Sequence, residues 1–209
     1  MDYPGRLALL VRDSIKETLV SKVFSILAAL GLILAAAGLV LAADAPKNER
    51  KQTKLGKYVT AVEAYAMYQK EPGKVAIVDV RTPEEYNYTG HPAMAHNIPV
   101  MFWTGKFDPG KKQYPLAENP DFVAQVKAKF KPGDRIVVMC RSGDRGAMAA
   151  NKLAEAGFTD VYNMIDGFEG DAVSDQASPD FGKRVKDGWK NSAIPWTYDL
   201  DEKLVFLAP

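Results

Sequence analysis

Two runs of apolar, mostly β-branched residues, Val75-Ala76-Ile77-Val78 and Ile136-Val137-Val138-Met139 behind Arg135, leave no polar position on either alternate face. Strands written this way are buried on both sides, as in parallel sheets covered by helices. The segments around them have helical or turn character. Thr60-Ala61-Val62-Glu63 is a capping-box pattern opening an amphipathic helix that runs to about Lys70, where Glu71-Pro72-Gly73 stops it. Pro83-Glu84-Glu85-Tyr86 starts a short helix, Asn97-Ile98-Pro99 suggests a brief strand, and Asn119 to Lys131 forms a helix closed by Pro132-Gly133. After the second strand come a glycine-bearing loop, a helix from Gly146 to Ala156 ended by Gly157, and a strand from Val161 to Met164. The alternation predicts an α/β domain, a parallel sheet with helices on both faces joined by right-handed crossovers. Ligands in such folds gather at the carboxyl ends of strands, and Cys140 sits at one.

A different pattern precedes this domain. From Val23 to Ala43 run 21 residues without a charge; as a helix they would be about 31 Å long, close to the ~30 Å hydrocarbon core of a bilayer. The run shows no polar face, which argues against a helix buried in a soluble core. A secretory signal peptide fits the small-residue pattern at Val40-Leu41-Ala42, and an uncleaved anchor better fits the length of the run and the 22 residues before it. Arg6, Arg12, Lys16 and Lys22 on one side balance Lys47, Arg50, Lys51, Lys54 and Lys57 on the other, so charge does not set the orientation. The expectation is a membrane-anchored or periplasmic protein whose main domain lies outside the cytoplasm, touching the membrane through residues 23–43. Residues 44–57, highly charged and nearly free of large apolar side chains, read as a solvated linker. The expected organisation is then an N-terminal segment 1–22, the apolar helix 23–43, the linker 44–57, a domain 58–171 and an extension 172–209. In that extension Trp189, Trp196 and the strand-like Leu204-Val205-Phe206-Leu207 are expected to pack against the domain.

Composition removes several classes of function. A length of 209 residues holds one domain with appendages. With 27 Lys and Arg against 26 Asp and Glu, the net charge of +1 lacks the basic excess of a nucleic-acid binder. One cysteine cannot form an intrachain disulfide or a Cys-rich zinc site. His91 and His96, five apart beside Pro92, make poor metal geometry, so neither a metal nor a cofactor is expected.

The chemistry is concentrated in Cys140-Arg141-Ser142-Gly143-Asp144-Arg145, between an apolar strand and a helix. Backbone N–H groups of such a loop can converge above the cysteine sulfur, with the positive end of the helix dipole facing it. N–H donors and the guanidinium groups of Arg141 and Arg145 favour the thiolate, which makes Cys140 a nucleophile. Gly143 can adopt φ > 0 and lets the backbone approach an anion. Asp79 and Arg81 read as a structural ion pair at a strand end. Phe102, Trp103, Phe107 and Tyr114 lie in a long connection, where packing is the expected use and a lid or docking surface the alternative.

These segments resemble the rhodanese family of sulfurtransferases. The loop fits the family pattern Cys-Arg-x-Gly-x-Arg/Thr; Val78-Asp79-Val80-Arg81 is similar to its Asp-Val-Arg segment, and Gly90-His91-Pro92-Ala93-Met94-Ala95-His96-Asn97-Ile98-Pro99 to its Gly-His-Ile-x-Gly-Ala-x-Asn-Ile-Pro segment. Leu153 to Phe158 and Val161 to Phe168 resemble the helix and strand that follow, so the likeness spans roughly Tyr58 to Asp171. Asp171 stands where many members carry tryptophan, Pro92 alters the Gly-His-Ile spacing, and Met101 to Pro120 is longer than a minimal domain needs. The resemblance implies transfer of a sulfane sulfur from thiosulfate or a similar small donor to a thiol, cyanide or protein acceptor through a Cys140 persulfide. Arg141, Ser142, Gly143, Asp144 and Arg145 would bind the substrate. A cysteine phosphatase needs arginine at the sixth position after the cysteine, where this chain has Gly146. A non-catalytic rhodanese-like module in a membrane complex is the alternative.

Overall fold

The computed structural model describes residues 43–208, so the segment 1–22 and nearly all of the apolar run 23–43 lie outside the described residues. Among the described residues no helix is long and apolar enough to cross a membrane.

The two unbroken apolar runs form the centre of the sheet. β2 (Val75–Asp79) and β6 (Arg135–Met139) pair in parallel along their full lengths, Val75 opposite Arg135 and Asp79 opposite Met139. β7 (Val161–Met164) flanks β6 and β1 (Tyr58–Val59) lies beyond it, while β3 (His96–Asn97) forms the other edge beside β2. The order is β1-β7-β6-β2-β3, with every pair parallel. Successive side chains of a strand point to opposite faces. Ile136 and Val138 therefore enter one core with Phe122, Ala149 and Leu153, and Val137 and Met139 enter another with Ala61, Ala64 and Trp189. The sheet is covered on both faces, as the apolar runs require.

Local signals place the helices. α1 (Ala61–Lys70) opens with a complete capping box: Thr60 Oγ1 accepts from Glu63 N–H, and the Glu63 carboxylate accepts from Thr60 N–H. α2 (Pro83–Thr89) repeats the device with Thr82 and Glu85. α3 (Phe122–Lys129) begins later than the sequence suggests, because Asn119 builds the preceding turn: its side-chain amide donates to the Pro99 carbonyl and its oxygen accepts from Asp121 N–H. α4 (Asp144–Glu155) begins two residues early, with Gly143 as a left-handed N-cap. The long connection forms an antiparallel hairpin of β4 (Met101–Trp103) and β5 (Leu116–Glu118), which the sequence pattern did not indicate.

Two expectations need correction. Residues 44–57 are not a free linker: a 3-10 turn over Glu49–Lys51 lies against α4, Lys51 is only 6% exposed, and Lys54 N–H donates to Asn151 Oδ1. Composition misleads here because a lysine stem can be buried while its ammonium finds acceptors. The terminal run 204–207 forms no strand. It packs nonetheless, with the Leu204 carbonyl accepting from Asn97 N–H and Phe206 against Phe102. Trp189 is fully buried, as expected.

At the end of β2, Asp79 and Arg81 are both fully buried and paired, Nη2 to Oδ2 at 2.6 Å. Arg81 Nη1 also donates to Thr89 Oγ1 and Nη2 to the Gly90 carbonyl, and the guanidinium lies 4.3 Å from the Phe168 ring centroid. Removing one partner leaves a buried charge without compensation. Arg81→Met should therefore cost about 3–5 kcal/mol in urea unfolding; a loss of under ~1 kcal/mol would contradict this account.

Asp166 sits beneath the start of α1, accepting from Ala61 N–H at 2.9 Å and Gly188 N–H at 3.2 Å. Burial outweighs these donors and pushes its carboxyl up from 3.8 to about 6. The folded chain thus holds this proton more tightly than the unfolded chain, so the associated stability is complete below about 3.8 and is lost as pH rises through about 6. Asp166→Asn should lack this component. The melting-temperature difference, variant minus wild type, should increase between pH 5 and pH 7; a constant difference would refute the assignment.

Candidate active site

The loop Cys140 to Gly143 joins the end of β6 to the start of α4, which places the sulfur where the sheet's carboxyl end meets a helix N-terminus. Backbone carbonyls of the loop are drawn away from it: Cys140 C=O accepts from Phe168 N–H at 2.7 Å and Arg141 C=O from Glu169 N–H at 2.9 Å. Gly167 permits this approach, since a Cβ there would come within 2.6 Å of both carbonyl oxygens. On the opposite side, Gly143 N–H donates to Cys140 Sγ at 3.1 Å. Gly143 adopts φ +107, and a Cβ on it would meet the Ile165 carbonyl oxygen at 2.5 Å, so conformation and space both require glycine.

Side chains of the loop diverge. Cys140 is 2% exposed, beneath the loop. Arg141 is exposed, makes no ion pair among the described residues, and faces a pocket of about 570 Å³. Arg145 lines the same pocket, but its Nη1 and Nη2 donate to the two Glu85 oxygens at 2.6 and 2.7 Å. Burial opposes charge on Glu85, yet the Arg145 bond and its positive charge outweigh that and hold the carboxyl below its ordinary range. Burial likewise works against the Arg145 charge, and the Glu85 carboxylate more than compensates, raising its affinity for its proton. Asp144 turns elsewhere, pairing with Arg50 at 3.2 Å, and with Ser142 and Gly143 it is absent from the pocket wall. Of the five residues expected to bind substrate, the fold brings Arg141 and Arg145 to the pocket. Asp144 is displaced because the first turn of α4 points it at the segment before β1.

Residues remote in sequence complete the site. Trp103, Tyr114 and Leu116 of the hairpin form one wall of the pocket, so the long connection does more than fill space. Asn163 of β7 donates from Nδ2 to both Lys51 C=O and Gly143 C=O, at 2.9 and 3.1 Å. Gly146 leaves room for this side chain, since a Cβ there would collide with Asn163 Oδ1. Glu85 was legible only as part of the start of a short helix, and nothing in the spacing linked Asn163 or Lys51 to the loop. His91 is buried and stacked on Tyr86, with ring centroids 3.6 Å apart; burial lowers its affinity for a proton, and this is a core histidine. No group of His, Cys, Asp and Glu suited to a metal occurs among the described residues.

Comparison with known proteins accords with this geometry. The Rhodanese-like domain family matches residues 60–172. Senescence-associated protein DIN1 of Raphanus sativus is 38% identical over 91 residues, covering 44% of this chain and 45% of that protein. Thiosulfate sulfurtransferase 16, chloroplastic, of Arabidopsis thaliana is 38% identical over 91 residues, 44% of this chain and 68% of that protein. The chain therefore spans less than half of the radish protein. The crystal structure of Rv0390 from M. tuberculosis is similar with a TM-score of 0.52 and 27% identity, over 67% of this chain and 96% of that one. A cysteine at a strand–helix junction, an N–H donated to its sulfur, an adjoining pocket that Arg141 and Arg145 line and a family match over residues 60–172 lead to one assignment: the chain belongs to the rhodanese-like family, whose relatives include proteins named as sulfurtransferases.

Proposed function

We propose that this protein is a sulfurtransferase that carries a sulfane sulfur on Cys140. The observation that carries this reading is the Gly143 N–H donated to the Cys140 sulfur, with the neighbouring carbonyls tied back by Phe168 and Glu169. An N–H at that point stabilises negative charge on sulfur, in the thiolate and in a persulfide alike. The thiolate attacks the outer sulfur of thiosulfate, the S–S bond of the donor breaks, and sulfite leaves with the bonding electron pair. The resulting Cys140 persulfide then gives its terminal sulfur to a thiolate or cyanide, which regenerates the Cys140 thiolate.

The two arginines divide the work. Arg141, exposed in the pocket and in no ion pair among the described residues, holds the donor's anionic oxygens; Arg145, fixed by Glu85, supplies standing positive charge and ties α4 to α2. A second reading, a rhodanese-like module that binds a partner without turnover, is favoured by the burial of Cys140 and its absence from the pocket wall.

Thiocyanate formation from thiosulfate and cyanide decides between these readings. The intact chain should turn over and gain the mass of one sulfur atom, and Cys140→Ser should do neither; no turnover and no adduct in the wild type would leave the binding module. Arg141→Ala should raise the KM for thiosulfate by about 10- to 100-fold, the worth of a hydrogen bond to a charged group, with little change in melting temperature. Arg145→Ala should instead lower the melting temperature, because it strands the Glu85 carboxylate.

We also propose that residues 23–43 anchor the protein in a membrane with the domain outside the cytoplasm, where it can meet a partner of a membrane complex. The uncharged run of 21 residues supports this. A cysteine introduced at exposed Lys47, in a Cys140→Ser background, should react with an impermeant maleimide on intact cells; labelling only after lysis would reverse the orientation.

A further inference from the structure

The rhodanese-like match begins at residue 60, yet the chain before it reaches the cysteine loop from outside the matched segment. Lys51 is nearly buried, with 7% of its side chain exposed, and its ammonium donates to Ile165 C=O at 2.9 Å and to Asp171 Oδ2 at 2.7 Å. Its own carbonyl accepts one N–H of the Asn163 amide at 2.9 Å, and that amide also donates to Gly143 C=O at 3.1 Å. The Lys51 stem runs along the open face of Gly143: a Cβ on that glycine would sit 3.1 Å from Lys51 Cδ and 2.5 Å from the Ile165 oxygen, the same oxygen that the ammonium holds. Gly143 is thus boxed by Lys51, Ile165 and Asn163.

A glycine at φ +107 has no side chain to hold its conformation, and its backbone is the freest of any residue. The direction of its N–H must be set by what surrounds it. A methionine or leucine would fill the space beside Gly143 without the desolvation cost of a nearly buried ammonium. What the lysine adds is a donor that pins the Ile165 carbonyl, and Asp171, at the position where the family resemblance leads one to expect tryptophan, is the acid that receives it.

We propose that Lys51 is a positioning residue for the sulfur-transfer site: through Asn163 and the Ile165 carbonyl, and anchored by Asp171, it holds Gly143 so that its N–H meets the Cys140 sulfur. The catalytic consequence rests on the sulfurtransferase reading, whereas the structural effect on the sulfur does not. The segment taken from composition as a linker is by this reading part of the active-site scaffold.

The chain has one cysteine, so thiolate absorbance in the ultraviolet, measured against Cys140→Ser, reports on that sulfur alone. In the full chain, Lys51→Met keeps the stem and removes the ammonium. Its Cys140 titration should move to higher pH by about one unit, a tenfold change in the ionisation equilibrium. Lys51→Arg, which keeps a donor, should recover most of the shift, and Lys54→Met, which removes an exposed ion pair with Glu155, should leave the titration where it is. A purely structural role would lower the melting temperature of Lys51→Met and leave the titration unmoved, and that result overturns the proposal. Should Lys51→Met fail to fold, Asp171→Ala removes an anchor that is 61% exposed, and a titration unmoved by it overturns the proposal equally. Variants that show these shifts beside a wild type that transfers no sulfur would sink the sulfurtransferase reading and leave the positioning role standing.

Discussion

At the carboxyl end of β2 a carboxylate and a guanidinium meet entirely out of water, and the upper half of the domain is arranged around them. Two buried charges are tolerable only where mutual attraction and further hydrogen bonds replace what hydration supplied. Asp79 receives Arg81 through its backbone N–H, Nε and Nη2, and the remaining guanidinium donors reach Thr89 and Gly90 at the end of α2. The plane of the guanidinium covers Phe168, whose own N–H holds the Cys140 carbonyl. A chain of contacts thus runs from the β2 terminus to the cysteine loop, and each link is a group that cannot be left alone in the interior.

This arrangement explains why the loop presents an N–H to sulfur. Carbonyl oxygens near the sulfur would oppose negative charge there, and the Phe168 and Glu169 N–H groups engage two of them, those of Cys140 and Arg141. Gly167 and Gly143 are the positions where backbone must pass backbone at distances no Cβ would permit. The cationic side chains then separate by environment. Arg145 is drawn into a two-point contact with Glu85 on α2, while Arg141, which forms no ion pair among the described residues, stays at a pocket whose other wall is the hairpin. The same residue type serves as a brace at one position and, in the proposed function, as an anion receptor at the other.

Much of the architecture was legible because its causes are local. Unbroken apolar runs at 75–78 and 136–139 can be satisfied only by burial on both faces, and β2 and β6 are the sheet's paired centre. The Thr60 and Glu63 capping box needs no distant partner and starts α1 where the pattern placed it. By contrast, the β4–β5 hairpin is a pair of three-residue strands with no alternation to announce it. Residues 44–57 misled because composition counts charges without saying where an ammonium can find a carbonyl, and Lys51 found one at Ile165.

By itself, the sequence determined the kind of fold, the cysteine that must carry any sulfur chemistry, and the glycine that lets the loop turn, since periodicity, residue identity and backbone freedom are properties of short stretches. Tertiary structure alone decided which arginine stays out of an ion pair among the described residues, that Asp144 faces away, and that Glu85, Asn163 and Lys51 are brought beside the cysteine loop. Those contacts bridge 60 residues from Glu85 to Arg145 and 112 from Lys51 to Asn163. Separations of that kind are closed by the crossing of the sheet and the packing of its helices, and no local pattern encodes which side chains the closure will bring together.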